Sequence, residues 1–130
     1  MKKRIYLIDI DGTVCEDIPN EESHRFSDAY PLTGALEEIV RLHSTGNRII
    51  FFTAREEKDR EVTQAWLERH GFPFESLIMG KPRCIEENEE YVWIDNRPVR
   101  AVTYKGEWSS LKETRNSWIS TGTFLSFSKP

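Results

Sequence analysis

Four short apolar runs, each closing on or within two residues of a polar side chain, constrain this chain more than any other feature of its sequence. They are Ile5-Tyr6-Leu7-Ile8-Asp9-Ile10, Arg48-Ile49-Ile50-Phe51-Phe52-Thr53, Ser76-Leu77-Ile78-Met79 and Tyr91-Val92-Trp93-Ile94-Asp95. Runs that are apolar at successive positions, not alternate ones, are the pattern of strands covered on both faces. Helical patterns stand between them. Leu36, Ile39, Val40 and His43 recur at helical spacing after Thr33-Gly34, and Gly46-Asn47 closes that stretch. Val62, Ala65, Trp66 and Arg69 share one side of a second helix that stops at His70-Gly71. Strands alternating with helices predict an α/β fold, a three-layer, Rossmann-like parallel sheet with helices on both faces.

The remaining segments are connections. Val14 to Thr33 is polar, with Pro19, Asn20 and Pro31, and reads as a long loop with a short hairpin or turn. Arg55 to Glu61 reads as an exposed charged stretch, Ile85 to Glu90 as a charged connection and Val99 to Tyr104 as an edge strand. No repeat or linker interrupts the 130 residues, which suit one domain: a core over 1–108 and a Ser/Thr-rich tail over 109–130 carrying Trp118, Phe124 and Phe127. A net charge of -4 argues against a general nucleic-acid binder. Cys15 and Cys84 are too few for a disulfide framework, which fits free thiols in the cytoplasm. The apolar run after Lys2, Lys3 and Arg4 is broken by Asp9, too early for a signal segment or a membrane span.

Ligands of open parallel sheets bind beyond the carboxyl ends of the strands. The side chains expected there are Asp9 and Asp11, Thr53, Lys81 after Met79-Gly80, and Asp95. Singly they have ordinary readings: Asp11-Gly12 as a turn, Thr53 as a strand former or helix cap, Lys81 as a solvated loop cation, Asp95 as a strand-end turn. Asp9 differs, because an ionised carboxylate within an apolar strand calls for a metal ion or a cationic neighbour.

The motifs Asp9-Ile10-Asp11-Gly12-Thr13, Thr53-Ala54-Arg55, Gly80-Lys81-Pro82 and Ile94-Asp95-Asn96-Arg97 occur in that order on successive strands. From Ile5 to about Trp108 the chain thereby resembles the haloacid dehalogenase-like (HAD) phosphatase superfamily. It looks most like the small, nearly capless group labelled capsule-biosynthesis phosphatases and is more loosely similar to the phosphatase domain of phage polynucleotide kinase. The resemblance implies a Mg2+-dependent hydrolase of phosphomonoesters, with a sugar or polyol phosphate as substrate. Asp9 is then the nucleophile that forms an aspartyl-phosphate, a role open to carboxylates because they are ionised at neutral pH. Asp11 becomes the general acid and base, Thr53 a donor to the phosphoryl group and Lys81 the charge-balancing cation. Gly12, Ala54 and Arg55 are expected at the substrate. Asp9, Asp11 through its backbone carbonyl, and Asp95 are expected at the metal.

One departure is Asn96, where the superfamily often carries a second acid near the metal. It leaves room for an inactive metal-binding relative. With only 14–33 available as a cap, the site is expected to be open, or lidded by a neighbouring subunit of a homo-oligomer. His24, Arg25, Arg55, Lys58 and Arg60 are candidate substrate contacts or solvated surface residues. Trp108 and Trp118 pack an oligomer interface, close over the site, or pack on the sheet. The competing enzyme reading is a polynucleotide 3′-phosphatase, served by a basic rim of Arg55, Lys58 and Arg60. A signalling receiver domain is disfavoured, since its phosphorylated carboxylate would lie on a later strand and the third run here ends in Met79-Gly80.

Overall fold

The computed structural model describes residues 3–109. Trp118, Phe124 and Phe127, and with them nearly all of the expected tail, lie outside the described residues. The chain divides into two compact units, Met1–Arg83 and a second beginning at Cys84.

The first unit is built on three parallel strands, β1 (Ile5–Ile8), β2 (Arg48–Phe52) and β3 (Ser76–Ile78), in the order β1-β2-β3. Ile8 pairs with Phe51, and Phe51 with Leu77, so the three carboxyl ends finish level. This α/β arrangement matches the alternation of runs and helical patterns. Parallel strands require crossovers, and these contain helix α1 (Ala35–Ser44), which packs on β2, and helix α2 (Arg60–Arg69). Ile49 and Phe51 of β2 are buried, and Phe51 meets the rings of Phe72 and Phe74 edge-on at centroid distances of 5.9 and 5.7 Å. Trp66 of α2 stacks on Phe72, and its indole N–H donates to the Ala29 carbonyl at 2.9 Å, which pairs the one polar atom of a buried ring.

Both helices lie about one residue round from the faces expected. The buried stripe of α1 is Ala35, Glu38, Ile39 and Leu42, while Val40 and His43 point to solvent. Both stripes have helical spacing; Glu38 is tolerated on the inner one because Arg41 pairs with it at 2.8 Å. In α2 the buried residues are Thr63, Trp66 and Leu67 instead of Val62, Ala65, Trp66 and Arg69.

The insertion at 14–33 is ordered to a degree its polarity hides. It holds a kinked 3₁₀ segment, Asn20–Asp28, and Cys15 bridges to Asp11 and to Pro31. Val14, Cys15, Ile18, Phe26 and Ala29 are buried, and α2 packs against the 3₁₀ segment. The expected exposed stretch at 55–61 is likewise interrupted, since Arg55 and Asp59 are buried.

In the second unit, neither the strand expected at Tyr91–Asp95 nor the edge strand at Val99–Tyr104 forms. Val92 and Ile94 are 73% and 91% exposed, because an apolar run becomes a covered strand only where a neighbouring ladder accepts it. Trp108 is buried against Tyr104, their ring centroids 5.6 Å apart. Among the described residues no helix is long and apolar enough to cross a membrane.

Candidate active site

The level strand ends bring Asp9, Thr53 and Lys81 to one edge of the first unit. Asp9 follows β1 directly. One of its carboxylate oxygens accepts from the Thr13 hydroxyl at 3.1 Å, and the other from the Lys81 ammonium at 3.3 Å. The pair is wet enough for reaction and screened enough to matter, with Asp9 37% and Lys81 17% exposed. This supplies the cationic neighbour that a carboxylate at the end of an apolar strand requires.

Lys81 is held by backbone, not by chance. The Thr53 N–H donates to the Ile78 carbonyl at 2.9 Å, the Gly80 N–H to the Arg55 carbonyl at 2.8 Å, and the Lys81 N–H to the Thr53 carbonyl at 2.9 Å. These bonds continue the β2–β3 pairing past the strands, and Gly80 at φ 77° turns the chain so that Lys81 returns toward Asp9. Thr53 is buried, and its hydroxyl accepts from the Arg55 N–H at 3.1 Å, which closes a tight turn around Ala54. The Ala54 carbonyl accepts from the Asn20 side chain at 3.1 Å, tying the insertion to this turn.

Two expected substrate contacts are placed differently. The Gly12 N–H donates to the Cys15 carbonyl at 2.9 Å, and Gly12 itself turns the chain at φ 80°. Arg55 points inward at 1% side-chain exposure. Its Nε and Nη2 grip the two oxygens of Asp11 at 2.9 and 2.8 Å, its Nη1 donates to the Thr63 hydroxyl at 3.0 Å, and its guanidinium carbon lies 3.7 Å from the Phe26 ring centroid. This fork is the geometry for which guanidinium and carboxylate are matched.

Thr13, Asn20, Phe26 and Thr63 are partners of the site that the sequence pattern does not single out. Thr13 had a signal, standing four residues from Asp9 across a glycine turn; Phe26 and Thr63 had none, because their relation to Arg55 is wholly tertiary. Cys15, beside Asp11, has its thiol pushed up to about 12 by burial and by the neighbouring Asp11 charge, so it is inert as a nucleophile. Among the other basic candidates, Arg25 pairs with Glu16 and Glu22, Arg60 with Glu57 and Lys58 with Asp59, while His24 is exposed.

Asp9, beside Lys81, and the Asp11 carbonyl are hard oxygen donors of the kind Mg2+ takes. Among the described residues of the first unit, no three His, Cys, Asp or Glu side chains form a metal-holding cluster. Asp95 belongs to the second unit. There its carboxylate accepts from the Trp93 indole at 3.1 Å and the Arg97 N–H at 3.0 Å, bonds that hold it below the usual carboxylate range.

No family model matches the chain. A protein of Oceanobacillus iheyensis named as a nucleotidase is 40% identical over 48 residues, covering 37% of this chain and 26% of that protein. The stem 31 kDa glycoprotein of Glycine max is 31% identical over 101 residues, covering 65% and 40%. The chain therefore spans between a quarter and two fifths of the length of these curated relatives. Among solved structures, a crystal structure of a target protein from Vibrio cholerae is similar at TM-score 0.51 and 27% identity, covering 77% of this chain and 84% of that one. A chain of the Pnkp1/Rnl/Hen1 complex is similar at TM-score 0.54 and 20% identity, covering 66% and 30%, a likeness of fold.

Proposed function

We propose that the chain is a HAD-like phosphatase of the small, capsule-type group, hydrolysing phosphomonoesters through an aspartyl-phosphate on Asp9. The observation that carries this reading is the convergence of Asp9, Thr53 and Lys81 at the level ends of three parallel strands, with Lys81 3.3 Å from the Asp9 carboxylate. The nucleotidase name of one relative agrees with it.

In the first step an Asp9 oxygen attacks phosphorus, the bond from phosphorus to the ester oxygen breaks, and Asp11 gives that oxygen its proton. In the second, Asp11 takes a proton from water, the water oxygen attacks the phosphoryl group, and inorganic phosphate leaves Asp9. Lys81 balances the charge gathering on the phosphoryl oxygens, and the Thr53–Arg55 turn presents the Ala54 N–H to them. Mg2+ held by Asp9 and the Asp11 carbonyl would bring nucleophile and phosphate together despite their like charges. The fuller three-layer sheet of the superfamily belongs to this same reading.

The test is release of inorganic phosphate from sugar phosphates, polyol phosphates, nucleoside monophosphates and 3′-phosphorylated oligonucleotides, with Mg2+ and with chelator. Metal-dependent release from a small-molecule ester supports the proposal. Preference for the oligonucleotides would move the substrate to nucleic-acid ends. Absence of release from every ester would contradict the enzyme reading.

A further inference from the structure

We propose that Arg55 is a positioning residue for proton transfer by Asp11, held in that role by Phe26 of the insertion and Thr63 of α2. The inference rests on the phosphatase reading above and concerns what tunes that site. An exposed arginine beside a phosphate site would ordinarily bind substrate. Here the side chain is 1% exposed, and each of its guanidinium nitrogens has a partner: Asp11 at Nε and Nη2, Thr63 at Nη1. The ring of Phe26 covers the plane at 3.7 Å. Thr63 is itself fixed, its hydroxyl donating to the Asp59 carbonyl at 2.8 Å one helical turn back.

This arrangement leaves Arg55 no reach toward a ligand, but it determines the plane of the Asp11 carboxylate. A carboxylate two residues beyond the nucleophile has two side-chain torsions to lose before it can deliver a proton to one defined oxygen. The fork removes both, because two parallel hydrogen bonds fix position and orientation together. Each carboxylate oxygen retains a lone pair outside the fork on which a proton can be carried. Through Phe26, the insertion at 14–33 reaches the Arg55 fork and, by it, Asp11.

The role separates from binding and from folding by its dependence on the leaving group. An alkyl phosphate needs a proton on its departing oxygen, whereas p-nitrophenyl phosphate releases a stabilised phenolate that does not. Arg55→Lys keeps the charge and loses the fork. In a single turnover the rate of alkyl ester cleavage should fall by about 100-fold, the scale of a lost general acid, while the burst rate of p-nitrophenolate release stays near wild type and the ester concentration for half-maximal cleavage changes little for either; neither rate includes the later step in which Asp11 takes a proton from water. Phe26→Leu keeps an apolar cover without the ring's attraction for the cation, and should show the same selective loss in weaker form, which preserves the test if Arg55→Lys does not fold. Equal losses on both esters, or a rise in the half-maximal ester concentration alone, would overturn the positioning role while leaving the phosphatase reading standing. No turnover of either ester by the unsubstituted chain would overturn both.

Discussion

The Lys81 ammonium lies 3.3 Å from the Asp9 carboxylate although 72 residues separate them in the chain. Nothing local creates this pair. It exists because β1 and β3 flank β2 in parallel register, and because the backbone bonds past Thr53 turn the second loop back over the first. Lys81→Ala should therefore lower kcat by roughly 100- to 1,000-fold, as losses of a preorganised charge partner do, with the far-ultraviolet circular dichroism unchanged. A variant with wild-type kcat would remove Lys81 from the site.

Asp9→Asn should abolish phosphate release with little effect on folding. The amide keeps the shape of the carboxylate and still accepts from Thr13, and the position is already 37% exposed. Steady-state phosphate release and a thermal melt on the same sample check both halves. An unfolded variant would leave the loss of activity to structure instead of chemistry.

Trp66 couples α2 to the insertion through its stacking on Phe72 and its bond to Ala29. Trp66→Ala should cost about 3–5 kcal/mol in a denaturant titration, the usual range for emptying a buried aromatic site. Trp66→Phe keeps most of the packing and loses one hydrogen bond, so about 1 kcal/mol is expected. Equal costs would mean that the indole bond, not the packing, holds this corner.

Cys15 gives a dependence on alkaline pH. Its thiol is pushed up to about 12 from an ordinary value of 9.0, so the folded state favours the protonated form more than the unfolded state does. That contribution to stability is complete below about pH 9 and is lost as pH rises through about 12. Cys15→Ala should flatten this alkaline fall in stability as read by denaturant titration between pH 8 and about 10.5, where the other groups titrate alike in both proteins. Iodoacetamide at neutral pH should label exposed Cys84 and leave Cys15 unmodified until the chain unfolds.

In the first unit the order of elements and the identity of the strand-end residues were legible because both follow from local patterns: apolar runs, glycine breaks and helical spacing. Which side of each helix faced inward was not, since Ala35/Glu38/Ile39/Leu42 and Leu36/Ile39/Val40/His43 share the same spacing, and the Arg41 partner helps make Glu38 an acceptable inner residue. Arg55 shows the limit most clearly. As one of a run of charged residues it reads as a surface contact, yet Asp11, Thr63 and Phe26 together compensate its burial, and no one-dimensional pattern joins those positions. Tyr91-Val92-Trp93-Ile94 carries a strand-like pattern without a ladder in the structure, because propensity supplies only half of a strand and a neighbour supplies the rest.

Capture of the covalent intermediate would identify the nucleophile. The chain is mixed with a phosphorus-radiolabelled alkyl phosphate and Mg2+, quenched in acid within the first turnover, digested and mapped by mass spectrometry. Acid-stable label is expected on the peptide containing Asp9, and none in Asp9→Asn. Rapid turnover with no label on that peptide, or label on another residue, would contradict Asp9 as the nucleophile.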